Sequence, residues 1–380
     1  MRIGIDARFY GTLGKGLGRY ASELIAQLEK LDTENDYVVF LRKDNWDQYE
    51  PKNPRFRKEL AEYRWYTWKE QLLYPLFLRK FSLDLVHFPH FNVPLTYRRP
   101  FVVTVHDLIL FKHPTPRATT LGPLLYRLKY FAYRLNITSA LKRAKAIITV
   151  SETAKREIEN VFPFTKQKQI LVTYGACSPS FTPDAASGVQ PSDRVAELPK
   201  PFALYVGNAY PHKNLERLLE AFRKFREDGH GAYNLVLVGA DDYFYARLRQ
   251  ESRAAGNDWN VIFFGQASEA ELAEIYRKAA FYVFPSLHEG FGLPPLEAMC
   301  AGLPVTSSDA SCMPEVLGDA VHYFDANDGD SIAGALAKMA DDDDLRQRLI
   351  GKGADRTKLY DWETTARKTI EIYGRCLKQD

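Results

Sequence analysis

Two glutamates, Glu289 and Glu297, flank Gly290, Phe291, Gly292, Leu293, Pro294 and Pro295 in the string EGFGLPPLEAMCAGLPV. Carboxylates accept hydrogen bonds from hydroxyls, so one of the pair suits a ribose and the other a sugar ring. Gly290 and Gly292 let the backbone approach a ligand closely, and tandem prolines suit a first helical turn, where an N–H is not needed. Free N–H groups at such a helix start attract an anion such as a diphosphate. Each half of the pattern is ordinary alone, because the helix dipole by itself favours a glutamate in a first turn. Together they describe a ligand that is both polyhydroxylated and phosphorylated. A candidate cation lies upstream. Lys213 precedes a helical pattern, where the dipole disfavours positive charge and some other reason for the lysine is needed.

Stepping outward from these residues, short β-branched and aromatic runs predict strands at 2–5, 37–41, 83–88, 101–105, 146–150 and 169–172, with helical spacing at 18–31 and 119–142. Such alternation implies a mainly parallel, doubly wound sheet. Residues 178–201, SPSFTPDAASGVQPSDRVAELPKP, hold no sustained period and read as a linker, drawn at 181–200. A second alternation follows, with strands at 202–206, 234–238, 261–264, 281–284 and 304–307 and helices at 215–226, 243–254 and 269–279. Leu215, Leu218, Leu219, Phe222 and Phe225 recur at helical spacing, so that helix buries one face. The loop carrying Glu289 therefore sits at a strand's carboxyl end. At 380 residues and 46% hydrophobic, the chain outgrows a single core. The expected architecture is α/β, with Rossmann-like domains at 1–180 and 201–360 and a cleft between them, where ligands tend to bind.

Composition narrows the function classes. The longest apolar run, at 72–78, is far below the roughly 20 residues that cross a bilayer, and the N-terminus MRIGIDARFYG lacks an export signal's apolar stretch. A cytoplasmic protein, peripheral at the inner face of the membrane if bound to one, is expected. Cys177, Cys300, Cys312 and Cys376 are scattered, which predicts reduced thiols rather than a disulfide framework or zinc site. The net charge of +3 conceals a division: residues 1–180 hold 29 Lys and Arg against 17 Asp and Glu, and 181–380 hold 22 against 31. Within the basic half, 124–145 mixes Tyr126, Tyr130, Phe131 and Tyr133 with Arg127, Lys129, Arg134, Lys142 and Arg143, a pattern open to an anionic membrane surface or to RNA; the membrane surface is the expected partner, with no nucleic acid.

The Glu289–Glu297 string resembles the retaining GT-B glycosyltransferases of family 4, which include sucrose-phosphate synthases and many bacterial mannosyl-, glucosyl- and galactosyltransferases. The likeness continues in Val206-Gly207-Asn208 and Pro211-His212-Lys213-Asn214 followed by LERLLEAF, which look like the family's first strand-loop-helix of the donor domain. It implies two Rossmann-like domains facing each other and a diphosphate gripped by Lys213. Many members have an arginine where this chain has Asn208. Between the first strand and helix, Asp6-Ala7-Arg8 through Gly11, Gly14, Lys15, Gly16 and Gly18 has the spacing G-K-G-x-G, unlike the dinucleotide fingerprint. By resemblance, Gly14 and Gly16 approach the donor phosphate. His106, in Val105-His106-Asp107-Leu108, would lie near the reacting carbon, and His87, His90 and Asn92 would line the acceptor side. Residues 361–380 look like the closing helix that braces the first domain. The likeness is thinnest at 44–83, where acceptor specificity would be built.

The expected catalytic residues are thus His106, Glu289 and Lys213. The expected donor site comprises Gly14, Gly16, Gly207, Asn208, Lys213, Gln266, Gly290, Phe291, Gly292, Leu293 and Glu297, with no metal or cofactor. Asp328-Gly329-Asp330 matches a metal-binding DxD triplet but reads as a turn beyond the donor motifs. The resemblance implies retaining transfer of a hexose, first of all mannose from GDP-mannose, to a glycan or lipid-linked acceptor in cell-surface polysaccharide synthesis. A UDP-sugar donor and a sugar-nucleotide 2-epimerase are the alternatives.

Overall fold

The structure, a computed structural model, describes residues 1–11, 16–115, 117, 122–182, 192–256 and 260–377. The chain divides into two compact units. Met1–Leu108, Thr119–Gly175 and Asp361–Asp380 form the first, and Ile109–Ala118 with Ala176–Tyr360 the second.

In the first unit, strands β1 (Arg2–Asp6), β2 (Asp36–Leu41), β3 (Phe56–Leu60), β4 (Leu85–Phe88), β5 (Phe101–Val105), β6 (Ala146–Thr149) and β7 (Ile170–Val172) form a sheet ordered β3-β2-β1-β4-β5-β6-β7. Every pairing is parallel, with Ile3 opposite Tyr37 and Leu85. Central parallel strands are covered on both faces, and this explains why FVVTV of β5 and AIIT of β6 are runs dominated by β-branched and apolar residues and buried at every residue. The polar edge strand β3, FRKEL, carries no such run and was not expected from the sequence. Helices α1 (Gly16–Leu31), α2 (Trp68–Leu78), α4 (Pro123–Arg143) and α5 (Glu152–Val161) belong to this unit, while α3 (Ile109–Lys112) belongs to the second. Helix α4 starts at Pro123, which occupies its first position; the expected start at 119 lies outside the described residues.

In the second unit, β8 (Phe202–Val206), β9 (Asn234–Val238), β10 (Val261–Gly265), β11 (Phe281–Phe284), β12 (Val305–Ser308) and β13 (Val321–Phe324) form a parallel sheet ordered β10-β9-β8-β11-β12-β13. Around it lie α6 (Asp193–Ala196), α7 (Leu215–Phe225), α8 (Tyr243–Ala254), α9 (Glu269–Lys278), α10 (Leu293–Cys300), α11 (Met313–Leu317), α12 (Gly329–Asp341) and α13 (Asp343–Thr357). Leu215, Leu218, Leu219, Phe222 and Phe225 of α7 are all buried, as their spacing requires. Asp328 caps α12 by accepting from the Asp330 N–H at 2.9 Å. Helix α14 (Trp362–Leu377) returns to the first unit and packs on α1, with Trp362 5.8 Å from Tyr20.

One expectation fails. Cys177 and Cys300, 123 residues apart in sequence, are disulfide-bonded within the second unit, while Cys312 and Cys376 are buried thiols outside any disulfide. Sequence spacing could not reveal the pair, because the fold alone brings the start of this unit to the end of α10. No helix among the described residues is long and apolar enough to cross a membrane.

Both sheets reverse their strand order at one place, between β1 and β4 in the first and between β8 and β11 in the second. At such switch points the loops leaving adjacent strands diverge to opposite faces and open a crevice at the carboxyl ends.

Candidate donor site

Lys213 and Glu289 come from the loops after β8 and β11, the two strands of the second unit's switch point. Gly207 leaves β8 with a φ of 155°, and a Cβ there would meet the Tyr205 hydroxyl at 2.6 Å, so glycine is required. A turn at Pro211–Lys213 then ends at Asn214, whose φ is 61°. Asn214 is buried and its Nδ2 donates to Pro285 O at 3.2 Å and Ala326 O at 2.7 Å. The Leu287 N–H donates to His212 O at 2.8 Å. These bonds fasten one loop to the other and hold Lys213 Nζ 2.5 Å from Glu289 Oε1, with each side chain only 11% exposed.

Burial alone would raise the Glu289 carboxyl, but Lys213 and then His212 outweigh it and hold the group below its ordinary value. His212 is held neutral, pushed down to about 4 by burial first and by Lys213 second. His113 and His288 stand close to one another, with ring centroids 5.5 Å apart. The Glu289 carbonyl accepts from the Ser311 hydroxyl at 2.8 Å, which fixes the loop from behind.

Gly292, with a φ of 91°, caps α10, and a Cβ there would meet Met313 Cε at 2.7 Å. The helix therefore begins at Leu293, and Glu297 falls in its second turn, not its first. Because Pro294 and Pro295 follow, Leu293 alone supplies an N–H within the first three helical positions. This helix start offers fewer donors than an ordinary one. Glu297 is buried, and its Oε2 accepts from the Tyr276 hydroxyl at 3.1 Å. Phe291 is also buried and stands edge-on to Tyr360 at 5.6 Å, so its ring serves packing. Asn208 Oδ1 accepts from the Tyr210 N–H at 3.3 Å and shapes the turn. Gln266 is exposed after β10, two strands from β8, and is not joined to the Lys213–Glu289 pair.

The sequence of the second unit matches the profile of "Glycosyl transferases group 1" at residues 190–356, and that of the first matches "Glycosyltransferase Family 4" at 14–175. The O-antigen chain mannosyltransferase B of Escherichia coli is 31% identical over 301 residues, covering 78% of this chain and 75% of that protein. The chain belongs to glycosyltransferase family 4. The O-antigen chain mannosyltransferase RfbU of Salmonella typhimurium is 27% identical, covering 87% of this chain and 88% of its own. The fold of this glycosyltransferase is GT-B. It matches sucrose-phosphate synthase from Thermosynechococcus elongatus with a TM-score of 0.76 at 18% identity over 100% of both chains.

In the first unit of the glycosyltransferase, Gly14 lies outside the described residues, and Gly16 opens α1 with nothing among the described residues within 4 Å of where a Cβ would sit. Gly18 is the glycine that packing demands: a Cβ there would lie 2.0 Å from Gly11 O. The buried Asn45 amide donates to the carbonyls of Ala7, Arg8 and Tyr10 and moulds the loop after β1. Arg8, wholly buried, bonds both Asp6 oxygens at 2.7 Å, Glu70 at 2.8 Å and Tyr63 O at 2.6 Å. Sequence reading missed this network because Arg8 and Glu70 lie 62 residues apart.

His106 follows β5, and its Nε2–H donates to Pro89 O at 2.9 Å. A carbonyl can only accept, so Nε2 carries the proton and Nδ1 the lone pair. Burial pushes the ring down to about 4, against the smaller upward pull of the Pro89 carbonyl, so it is neutral at pH 7. His87 and Asn92 are not acceptor groups. His87 is fully buried between Tyr373 Oη and Thr104 Oγ1, each at 2.7 Å, and Asn92 Nδ2 donates to both Glu70 oxygens.

Proposed function

We propose that this enzyme transfers mannose from GDP-mannose, with retention of configuration, to a glycan or lipid-linked acceptor in cell-surface polysaccharide assembly. The observation that carries the reading is the buried Lys213–Glu289 pair at a parallel-sheet switch point, beside the glycine-rich start of α10. The choice of mannose and of a surface polysaccharide rests on the similarity to the O-antigen chain mannosyltransferases.

In this reading Lys213 and the backbone N–H groups around Gly290–Leu293 receive the charge that builds on the departing diphosphate. Groups fixed in place before reaction are the most effective, since they need not reorganise as charge develops. Lys213 then exchanges part of its interaction with Glu289 for the phosphate, which frees a Glu289 oxygen to accept from donor-sugar hydroxyls. Glu297, oriented by Tyr276, accepts from the ribose. Neutral Nδ1 of His106 is offered to a sugar hydroxyl.

An anionic bilayer is the proposed surface for this chemistry. Leu124, Leu128 and Phe131 of α4 are 81%, 65% and 60% exposed, and no acidic residue occurs from 108 to 151. Apolar side chains dip into the interface while the surrounding cations attract acidic headgroups. Co-sedimentation with phosphatidylglycerol vesicles but not with phosphatidylcholine vesicles is expected, and equal binding to both would remove this part. A screen of nucleotide sugars against mannose oligosaccharides tests the reaction. GDP release that requires acceptor supports transfer, and an epimerised donor would sink it.

A further inference from the structure

The disulfide between Cys177 and Cys300 fastens structure that leads back to the donor site. Cys177 is the second residue of the stretch Ala176–Tyr360, and Cys300 is the last residue of α10, three positions after Glu297. Just beyond Cys177 the turn Pro179–Phe181 packs on α9 and α10. The Ser180 hydroxyl donates to Glu269 Oε1, at the start of α9, at 2.6 Å and lies 2.8 Å from the Ser178 hydroxyl. Phe181 is fully buried and meets the Tyr276 ring edge-on, with centroids 5.6 Å apart. The Tyr276 hydroxyl is shared between Glu297 Oε2 at 3.1 Å and Pro294 O at 3.3 Å. A chain of contacts therefore runs from the disulfide through Phe181 and Tyr276 to the buried carboxylate of Glu297.

The same pair is the one a reductant can reach. Cys177 and Cys300 are half-buried, whereas Cys312 and Cys376 are buried. The Cys312 thiol donates to Glu289 O at 3.3 Å, and burial pushes the Cys376 thiol up to about 11, which leaves it protonated and unreactive at neutral pH. Thiol–disulfide exchange is thus confined to one bond. The cytoplasmic setting expected from the sequence is reducing, and disulfides that form there are usually transient or redox-sensing rather than permanent.

We propose that Cys177–Cys300 is a reversible redox switch that sets the affinity of the second unit for its nucleotide-diphosphate donor. Oxidised, the bond pins the stretch 177–181 to α10, and Phe181 holds Tyr276 where its hydroxyl orients Glu297. The reductant is a small monothiol of the glutathione class, two equivalents per bond. The first thiolate attacks one cysteine sulfur, breaks the S–S bond and forms a mixed disulfide. The second attacks the small molecule's sulfur in that mixed disulfide, which releases the protein cysteine and the oxidised dimer of the monothiol. Two electrons and two protons pass to the protein, which then carries two thiols. Freed from α10, the turn no longer braces Tyr276, and Glu297 loses its fixed donor. The inference rests on the glycosyltransferase reading, in which Glu297 accepts from the ribose, and adds the regulation of that site.

The test uses the full chain with GDP-mannose as donor and mannotriose as acceptor, equilibrated in glutathione buffers from fully oxidised to fully reduced. Alkylation and peptide mapping should show Cys177 and Cys300 passing between disulfide and thiols while Cys312 and Cys376 stay reduced throughout. The reduced protein should have a donor KM about fivefold higher, the weight of one loosened hydrogen bond, with the acceptor KM changed by less than about twofold. Reoxidation should restore the lower donor KM, which separates switching from damage. Cys177→Ser should keep the higher donor KM in every buffer. In Tyr276→Phe, which removes the hydroxyl that the switch positions, the donor KM values of the two states should lie within about twofold of each other. A disulfide that excess reduced glutathione leaves intact would overturn the proposal. So would equal donor KM values in the two states of the wild type, or a Cys177→Ser variant that still responds to glutathione. Wild-type protein that transfers no sugar from any nucleotide donor in either state would instead overturn the underlying reading.

Discussion

Replacing Lys213 by alanine strands a carboxylate. At 2.5 Å and an effective dielectric of about 20, the Lys213–Glu289 attraction is about 7 kcal/mol, set against a desolvation cost of several kcal/mol for each ion. The pair therefore adds little net stability, whereas removing one partner of such a buried pair costs about 3–5 kcal/mol. The sign of the pH dependence also inverts. In the wild type the folded pKa of Glu289 is depressed, so its contribution is present above about pH 4.5 and lost as pH falls. Without Lys213 burial dominates and the folded pKa rises above the unfolded one. The contribution is then present below about pH 4.5 and lost as pH rises. Urea unfolding at pH 7.5 and pH 5 should show a stability deficit in Lys213→Ala that shrinks at the lower pH. Adding Glu289→Gln should recover most of the deficit at pH 7.5 without restoring turnover, which should fall roughly 10²–10³-fold from loss of the diphosphate contact. A deficit independent of pH, or near-normal turnover in Lys213→Ala, would refute the assignment.

Other outcomes follow from the same geometry. Glu297→Ala removes a buried acceptor facing Tyr276 and should raise the donor KM about 10–100-fold, the usual weight of a hydrogen bond to a charged group, with acceptor KM changing less. His87, His90, His106 and His212 are held down to about 3, 3, 4 and 4, all with burial as the largest cause. The unfolded chain therefore binds more protons between about pH 6.5 and 4, and stability should fall as pH drops through that window, by up to about 1.4 kcal/mol per pH unit for each histidine. Calorimetry from pH 7.5 to 4.5 checks this. Peptide mapping without reductant should recover Cys177 linked to Cys300, and Cys300→Ser should lower stability by about 2–4 kcal/mol under the same non-reducing conditions.

Particular residues show why some of this was legible in sequence. The strands FVVTV and FYVF declare themselves because a parallel strand covered on both faces needs a run dominated by β-branched and apolar residues. Glycine with a positive φ punctuates the Glu289–Glu297 loop, so the donor string was visible too. What escaped are relations made by topology. Lys213 and Glu289 are 76 residues apart and meet because β8 and β11 are neighbours, tied through Asn214. His87 and His106 look alike in sequence, each on or just after a strand. Burial between Thr104 and Tyr373, the latter 286 residues away, marks the first as structural. The rings of Trp65, Phe9, His90, Phe91 and Tyr133 touch one after another although they come from four separate segments, so no local motif signals their contact.

The central claim, retaining transfer of a sugar from a nucleotide diphosphate, is tested most directly by proton NMR of the reaction of GDP-mannose with mannotriose. Acceptor-dependent release of GDP together with a new α-mannosidic anomeric signal is the predicted result. A β-linked product, or a nucleotide sugar epimerised at C2 with the acceptor unchanged, would contradict it.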